Sequence, residues 1–312
     1  MTEIVKLSKK DIDNILTKYT IGTYVSHKHI PWALGNSVYY LNTSNGKFIL
    51  KIHQDIKLSR LKFVLNTMEF ARSKGIPVPE IIQTKTGRLI SKHNKEMVTI
   101  QKYIEGKEIK ISKISTIKNT ARTIGLLDKA LLKIPLKKKS GRKLSRKLVY
   151  DSIKVKGFNF IEQEKQLRKN LRKINTRKLT RGVIHSDIGS ANLLYNNKRV
   201  TAILDWDDTN ESYLVYELAV ILSYGFTTKN RILKNNIKQF LKEYQKYIKL
   251  NEDEKKALYY MILSRQLSAA SWVARQLKIR KNKHDEGLKK LLNSYRLFNK
   301  SSLVEFLTWI NK

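Results

Sequence analysis

The stretch 182–208, GVIHSDIGSANLLYNNKRVTAILDWDD, constrains the fold of this chain more than any other segment. An apolar run at 182–184 precedes Asp187, and Asn192 follows Asp187 with four residues between them. A second apolar run ends on Asp205, and the turn-forming residues before it predict a hairpin. The pattern therefore predicts two strand ends that carry two carboxylates and one amide.

These three side chains suit phosphoryl transfer, a reaction that requires the protein mainly to neutralise charge and to orient a hydroxyl group. Asp187 is the candidate catalytic base for the substrate hydroxyl. Asn192 and Asp205 offer the oxygen ligands that Mg²⁺ prefers, so both are candidate metal ligands. Each residue alone could be a turn former at a strand end, but their joint spacing favours a catalytic role.

The strings IHSDIGSANLL and ILDWDDTNESYLVYELA resemble two motifs of the aminoglycoside phosphotransferase, choline kinase and homoserine kinase superfamily, H-G/S/A-D-x4-N and I-D-F/W-x-D…Y-D-L-A. The resemblance implies an α+β, bilobal, protein-kinase-like fold, with a small antiparallel sheet in the N-terminal lobe and a mostly helical C-terminal lobe. It also implies Mg²⁺-dependent transfer from ATP, bound between the lobes, to a small-molecule alcohol. His185 is interpreted as a residue that braces the catalytic loop. Glu217 is given the same role, and it stands where the family usually has Asp.

Length and composition agree with a two-lobed enzyme. The chain has 312 residues, of which 41% are hydrophobic, enough for two substantial cores. The absence of cysteine excludes disulfides, thiolate metal sites and thiol catalysis, and it fits a reducing compartment. No continuous apolar segment begins the chain, and the apolar stretch 213–226 is interrupted by Glu217 and too short to span a bilayer. We therefore expect a cytoplasmic protein without a membrane partner.

The formal net charge of +37 raises the alternative of a nucleic-acid-binding protein. Lysine and arginine occur in nearly every segment, with local concentrations at 137–139, 142–147 and 168–181. This distribution indicates a compositional bias rather than a binding groove. We expect salt-sensitive, non-specific polyanion binding and no specific nucleic-acid partner.

The first part of the chain has the periodicity of a small sheet with accompanying helices, and a strong hairpin turn at 43–46. The predicted elements are a helix at 9–18 with Ser8 as its N-cap, strands at 22–30, 37–42 and 47–53, and a helix at 58–74.

The nucleotide-binding residues follow from the resemblance. In the family, the first turn of the sheet covers the nucleotide phosphates, and here that turn is 31–37. Asn36 and Ser37 could donate to phosphate, or they could simply form a polar hairpin turn. The interlobe linker would be 101–106, whose backbone groups would bind adenine, so Gln101 and Tyr103 are candidates. The expected domains are 1–104 for nucleotide binding and 105–312 for catalysis and substrate binding.

Lys51 lies in the third predicted strand, on the face opposite Phe48, Leu50 and Ile52. It could be a solvated lysine, but the resemblance implies that it contacts the α- and β-phosphates. Family members carry a glutamate partner in the following helix, near positions 63–64, where this chain has none. Glu69 is the only acid in that helix and becomes the substitute candidate.

The C-terminal part is predicted to be helical. Within the helix expected at 252–279, Arg265 and Gln266 are polar residues among apolar ones, which indicates either a pocket lining or a core edge. The other predicted helices lie at 115–134, 212–224 and 229–250, among the Lys- and Arg-rich residues 137–181, and twice near the end of the chain.

The number of acidic residues near the predicted active site bears on the charge of the acceptor. Asp207, Asp208 and Glu211 cluster beside the predicted active site and could hold one ammonium group. A polycationic aminoglycoside requires several carboxylates, because an unpaired buried charge is costly, and the chain has 26 acidic against 63 basic residues. Charge therefore favours an acceptor with one amine, and together with the family resemblance it implies a homoserine- or choline-like amino alcohol, with an aminoglycoside as the alternative. A protein kinase is disfavoured because Asp205-Trp206-Asp207 replaces D-F-G, and the intact triad disfavours a non-catalytic nucleotide-binding module.

Overall fold

The computed structural model describes residues 4–31, 36–109, 111, 113–136, 155–223, 225–279 and 286–311. These form two compact units, Met1–Gly106 with Thr201–Asp207, and Lys107–Val200 with Asp208–Lys312. The short segment Thr201–Asp207 thus belongs to the first unit, although its place in the sequence put it in the second predicted domain. Positions 32–35 of the predicted phosphate turn and 137–154 of the predicted basic helical region lie outside the described residues.

The first unit contains a five-stranded antiparallel sheet with the strand order β1-β2-β3-β5-β4. Helix α1 begins at a capping box, in which Ser8 and Asp11 each accept a backbone hydrogen bond from the other. The elements are α1 (Lys9–Leu16), β1 (Tyr24–His29), β2 (Ser37–Thr43), β3 (Gly46–His53), α2 (Leu58–Ser73), β4 (Ser91–His93) and β5 (Glu96–Lys102).

Alternation along the strands builds the core of this unit. Leu41, Leu50 and Ile100 face the same side of the sheet, where α1 adds Ile12 and Ile15, and all five are almost completely buried. The other face of β3 therefore presents Lys51, as the alternation in the sequence predicts. The sheet fixes where this lysine lies before any ligand is considered.

The second unit is mostly helical, and its central element is a long helix, α7, that packs against α4, α5, α8 and α9. Two short strands, β6 and β9, pair antiparallel, and β7 and β8 form a two-stranded sheet. The elements are α3 (Ile114–Leu131), α4 (Phe160–Leu171), β6 (Arg181–Ile184), β7 (Leu193–Asn196), β8 (Arg199–Ile203, which enters the first unit at Thr201), β9 (Asn210–Tyr213), α5 (Leu214–Ser223), α6 (Lys234–Tyr244), α7 (Glu252–Ile279), α8 (Glu286–Lys300) and α9 (Leu303–Asn311).

Most predicted elements are present, and the α+β fold class is confirmed. Two helices begin later than predicted. The helix predicted from 212 begins at Leu214, because Asn210–Tyr213 pair with β6 as strand β9. The helix predicted at 229–250 is shorter because a hydrogen-bonded turn between Thr228 and Arg231 precedes it. In the part of the chain that the structure describes, no helix has the length and apolarity required to cross a membrane.

Candidate active site

The loop after β6 carries the predicted base. Ser186 has a left-handed backbone conformation, with φ of 72°, which is uncommon for a residue with a side chain. Two hydrogen bonds hold it there: the Ser186 amide donates to Glu217 Oε2 at 2.9 Å, and Asn210 Nδ2 donates to Ser186 Oγ at 2.7 Å. His185 is completely buried beside it, and the Asp187 amide donates to His185 Nδ1 at 3.3 Å. These contacts direct Asp187 out of the loop.

Asn192 is locked to Asp187. Its amide nitrogen donates to the Asp187 backbone carbonyl at 2.8 Å and to Asp187 Oδ2 at 3.2 Å. Because the nitrogen makes both bonds, the amide oxygen is the atom suited to a cation. This donor chemistry fits the predicted role of Asn192 as an Mg²⁺ ligand.

The other carboxylate oxygen of Asp187 is engaged by a residue of α7. Arg265 Nη2 forms an ion pair with Asp187 Oδ1, and the Arg265 side chain is only 18% exposed. Arg265 was not among the site residues predicted from the sequence. The available signal was its position in an otherwise apolar helix, which left open whether it lines a pocket or lies at a core edge.

Two acids are fully buried behind the catalytic loop. Burial raises the pKa of Glu217 to about 7, despite hydrogen bonds from the backbone of Ser186 and His185. Burial and the neighbouring Glu217 also raise the pKa of Asp128, whose carboxylate accepts a 2.8 Å hydrogen bond from the Tyr244 hydroxyl. Glu217 therefore occupies the bracing position that the sequence analysis assigned to it, within a buried acidic pair.

In the first unit, Lys51 is paired with aspartates rather than with Glu69. Its Nζ lies 2.6 Å from Asp207 Oδ2 and 3.7 Å from Asp205 Oδ1, and its side chain is 14% exposed. Burial alone would lower the pKa of Lys51, but the two carboxylates outweigh it and the pKa is raised. Glu69 instead forms an ion pair with Arg72 on the same helix. The substitute partner expected from the sequence is thus replaced by Asp207.

Asp205, the other predicted metal ligand, lies at the end of β8 with a left-handed φ of 57°. Its side chain is 54% exposed, far more than that of Lys51 beside it. A hard, partly exposed carboxylate fits Mg²⁺, and the contact with Lys51 is long enough to leave this oxygen only weakly engaged.

Asn36 and Ser37 are engaged within the first unit. Asn36 Nδ2 donates to Asp207 Oδ2 at 2.7 Å, while Ser37 Oγ donates to Gln54 Oε1 at 2.9 Å and accepts from the Val5 amide at 2.9 Å. Ser37 is also the first residue of β2 and is buried. Their hydrogen bonds therefore favour a structural role over the predicted phosphate contact.

The other candidates are distributed over both units. Gln101 lies in β5 opposite Ile49, and the Tyr103 amide donates to the Lys47 carbonyl at 3.2 Å. Of the predicted acceptor residues, Asp207 belongs to the first unit and Asp208 and Glu211 to the second.

One family model matches the part of the chain that contains the Asp187 loop, Asp205, Asp207 and most of both units. The model of the phosphotransferase enzyme family (APH) matches residues 27–248. The chain belongs to this family. It is accordingly a small-molecule kinase with the protein-kinase-like fold that the sequence motifs implied.

Curated relatives of this kinase include homoserine kinases. That of Bartonella henselae is 26% identical over 68% of this chain and 69% of the relative. That of Neisseria meningitidis is 23% identical over 89% of this chain and 91% of the relative.

Solved structures with the same fold include kinases for other acceptors. The amicoumacin kinase hAmiN in complex with AMP-PNP, Ca²⁺ and Ami has a TM-score of 0.73 at 12% identity, covering 96% of this chain and 95% of that one. A microcompartment-associated aminopropanol kinase has a TM-score of 0.70 at 16% identity, covering 96% and 98%. At these identities the likeness shows the fold alone.

Proposed function

We propose that this kinase transfers the γ-phosphoryl group of ATP, with Mg²⁺, to the hydroxyl group of a small amino alcohol of the homoserine type. The observation that carries the proposal is the Asp187 loop, which holds a carboxylate and an amide in the arrangement that hydroxyl phosphorylation requires. The names of the curated relatives support homoserine as the first acceptor to test. We propose that the reaction takes place in the cytoplasm, where ATP is available.

In this proposal, Asp187 orients the acceptor hydroxyl and takes its proton as the oxygen attacks the γ-phosphorus. The bond from the γ-phosphorus to the bridging oxygen breaks, and ADP leaves. Asn192 and Asp205 are the proposed ligands of Mg²⁺, which neutralises charge on the phosphates when bound. The proton thus ends on Asp187, and the phosphoryl group ends on the acceptor.

Nucleotide binding is assigned to Lys51 and, at the end of β5, to Gln101 and Tyr103. Because the Tyr103 amide donates to the Lys47 carbonyl, Tyr103 would offer adenine its carbonyl group rather than its amide. Two carboxylates keep Lys51 charged and extended, so its ammonium group is prepared to contact phosphate without first losing rotamer freedom. Asn36 supports Asp207, the residue that holds Lys51. Ser37 contributes through the start of β2 rather than through its hydroxyl.

Aminoglycoside phosphorylation is the alternative function. Solved neighbours include a spectinomycin phosphotransferase in complex with ADP and spectinomycin, with a TM-score of 0.64. Asp208 and Glu211 are the proposed contacts for an acceptor ammonium group. Asp207 forms an ion pair with Lys51 and is not proposed as an acceptor contact, which gives two proposed carboxylates. Two carboxylates suit one ammonium group better than a polycation.

An ADP-release assay with purified protein tests the proposal. Homoserine, choline and several aminoglycosides would be compared by kcat/KM, with Asp187→Asn protein from the same purification as the control for contaminating kinases. We expect homoserine to be the most efficient acceptor. Efficient aminoglycoside turnover, together with resistance conferred on a sensitive host, would reverse the order of the two functions.

A further inference from the structure

Arg265 is a largely buried cation at the predicted catalytic base. It lies in the middle of α7, and its guanidinium contacts Asp187 Oδ1. The neighbouring helix positions Leu263 and Gln266 are buried, as is Ile262 on the preceding turn. Placing a guanidinium in such surroundings costs free energy unless its charge is used. Arg265 is therefore not a solvated surface arginine.

The contact with Asp187 places Arg265 beside the reacting hydroxyl as well as giving it a bracing role. A positive charge in contact with a carboxylate stabilises its ionised form and so lowers its affinity for a proton. A catalytic base must take a proton from the acceptor, so a permanent cation on the base works against that step. The arrangement is chemically useful if the cation also interacts with the acceptor.

The local charge balance points to the type of acceptor. Asp187, Glu217 and Arg265 of the second unit interact here, and Asp128 interacts with Glu217 from behind the loop. Glu217 accepts a hydrogen bond from the loop backbone, and burial raises its pKa to about 7. The positive charge of Arg265 balances the negative charge of Asp187. These groups leave little negative charge for a polycation, and they place a cation beside the reacting hydroxyl.

Geometry sets what Arg265 can reach. The acceptor hydroxyl must lie within hydrogen-bonding distance of Asp187, about 2.6–3.2 Å. Because Arg265 contacts the same carboxylate, a substituent a few bonds from that hydroxyl comes within reach of the guanidinium. A guanidinium carries five N–H donors in a planar fork, so it can serve two carboxylates together.

We propose that Arg265 binds a carboxylate of the acceptor, and that the preferred acceptor is a hydroxy amino acid rather than an amino alcohol without an acid group. This inference rests on the proposed function and names the chemical group that the site selects. Arg265 thereby holds the base in the resting enzyme and orients the acceptor during turnover.

Matched acceptors isolate the carboxylate. Homoserine and 3-aminopropanol, serine and ethanolamine, and threonine and 1-aminopropan-2-ol differ only in that group. kcat and KM would be measured for each pair with the wild-type enzyme, Arg265→Lys and Arg265→Gln. We expect the wild type to prefer the acid of the best pair by about 100-fold in kcat/KM, the scale of a charge-assisted bidentate contact.

The variants separate recognition from support of the base. Arg265→Gln should lower kcat/KM by about 100-fold more for the acid than for the partner without the acid, with this excess mainly in KM, because losing the support of Asp187 affects both acceptors alike. Arg265→Lys keeps the charge without the fork and should fall between. It is also the variant to use if Arg265→Gln does not fold. Arg172→Gln makes the same change at an exposed position and should leave both acceptors unaffected.

Each remaining outcome distinguishes the inference from the proposed function. Equal losses for both members of a pair in Arg265→Gln would mean that Arg265 only positions Asp187, and would overturn the inference. A wild-type enzyme that turns over the amine as well as the acid would overturn it too, while amino alcohol phosphorylation would stand. Activity with aminoglycosides alone would overturn both.

Discussion

Lys51 Nζ lies 2.6 Å from Asp207 Oδ2, although 156 positions separate the two residues in the sequence. The contact exists because Thr201–Asp207 folds with the first unit, where the Ile203 amide donates to the Pro77 carbonyl at 2.8 Å. Asp207 also accepts from Asn36 Nδ2. An aspartate after the second apolar strand therefore holds the lysine that a helix glutamate was expected to hold.

The first prediction contrasts the two acids that could hold Lys51. Asp207→Ala leaves a buried lysine with only the longer contact to Asp205, so we expect a loss of about 1–2 kcal/mol in the free energy of unfolding and weaker ATP binding. Glu69→Ala removes only an ion pair on the helix surface and should change both quantities little. Urea unfolding and ATP titration of the two variants measure this. Equal effects would contradict the assignment of Asp207.

Local pattern was sufficient to predict most of the fold. The period-2 alternation of β3 placed Lys51 on the correct face, and Ser8 was predicted to cap α1, where its side chain accepts from the Asp11 amide at 3.2 Å. These features depend on residues within a few positions of one another. Strand β9 was missed because Asn210–Tyr213 is extended only through pairing with β6, a partner distant in sequence.

The second prediction concerns Asp187. Asp187→Asn keeps the size of the side chain but removes the proton acceptor, so turnover should fall by about 100-fold or more while ATP binding changes little. The new amide can still meet Asn192, but it loses the ion pair with Arg265. A fixed-time ADP-release assay measures turnover, and nucleotide titration measures ATP binding. Near-normal turnover would exclude Asp187 as the base.

The third prediction concerns the metal ligands. Asp205→Ala should weaken binding of Mg·ATP and abolish transfer, because a carboxylate ligand is lost. Asn192→Ala should raise the Mg²⁺ concentration required for half-maximal activity. Asp208→Ala removes the neighbouring acid and should change the acceptor KM instead. The readout is activity as a function of Mg²⁺ at fixed ATP, and an unchanged Mg²⁺ requirement in the first two variants would contradict the assignment.

The sequence predicted only part of the candidate site. The residues of the motif are close together in the chain, whereas the residue that contacts Asp187 from α7 is distant in sequence. Asp187 and Asn192 are five positions apart, and their hydrogen bonds follow from that short loop. Arg265 reaches Asp187 from 78 positions away, which spacing along the chain cannot encode. Its signal was physical rather than sequential: a charged residue in an apolar helix requires a partner, and the sequence did not say which.

The last prediction uses the buried acid behind the loop. Glutamate in an unfolded chain ionises near its ordinary pKa of 4.5, whereas burial raises the pKa of Glu217 to about 7 in the folded protein. Between these values the unfolded state releases a proton that the folded state keeps. The contribution of Glu217 to stability is therefore full below about pH 4.5 and is lost as the pH rises toward 7.

Glu217→Gln should flatten the fall in stability over this interval, because glutamine does not titrate but still offers an oxygen to the Ser186 amide. The groups that interact with Glu217 include Asp128, Asp187, Arg265 and Tyr244, and burial raises the pKa of Asp128 in the same direction. The difference between the two proteins should thus amount to about 1 kcal/mol or more, since one pKa unit corresponds to about 1.4 kcal/mol. Urea unfolding at several pH values measures it, with the exposed Glu162→Gln as the matched control. Parallel stability curves for wild type and Glu217→Gln would show that Glu217 has the same pKa in the folded and unfolded protein, and that near neutral pH the loop is braced by a carboxylate rather than by a protonated acid.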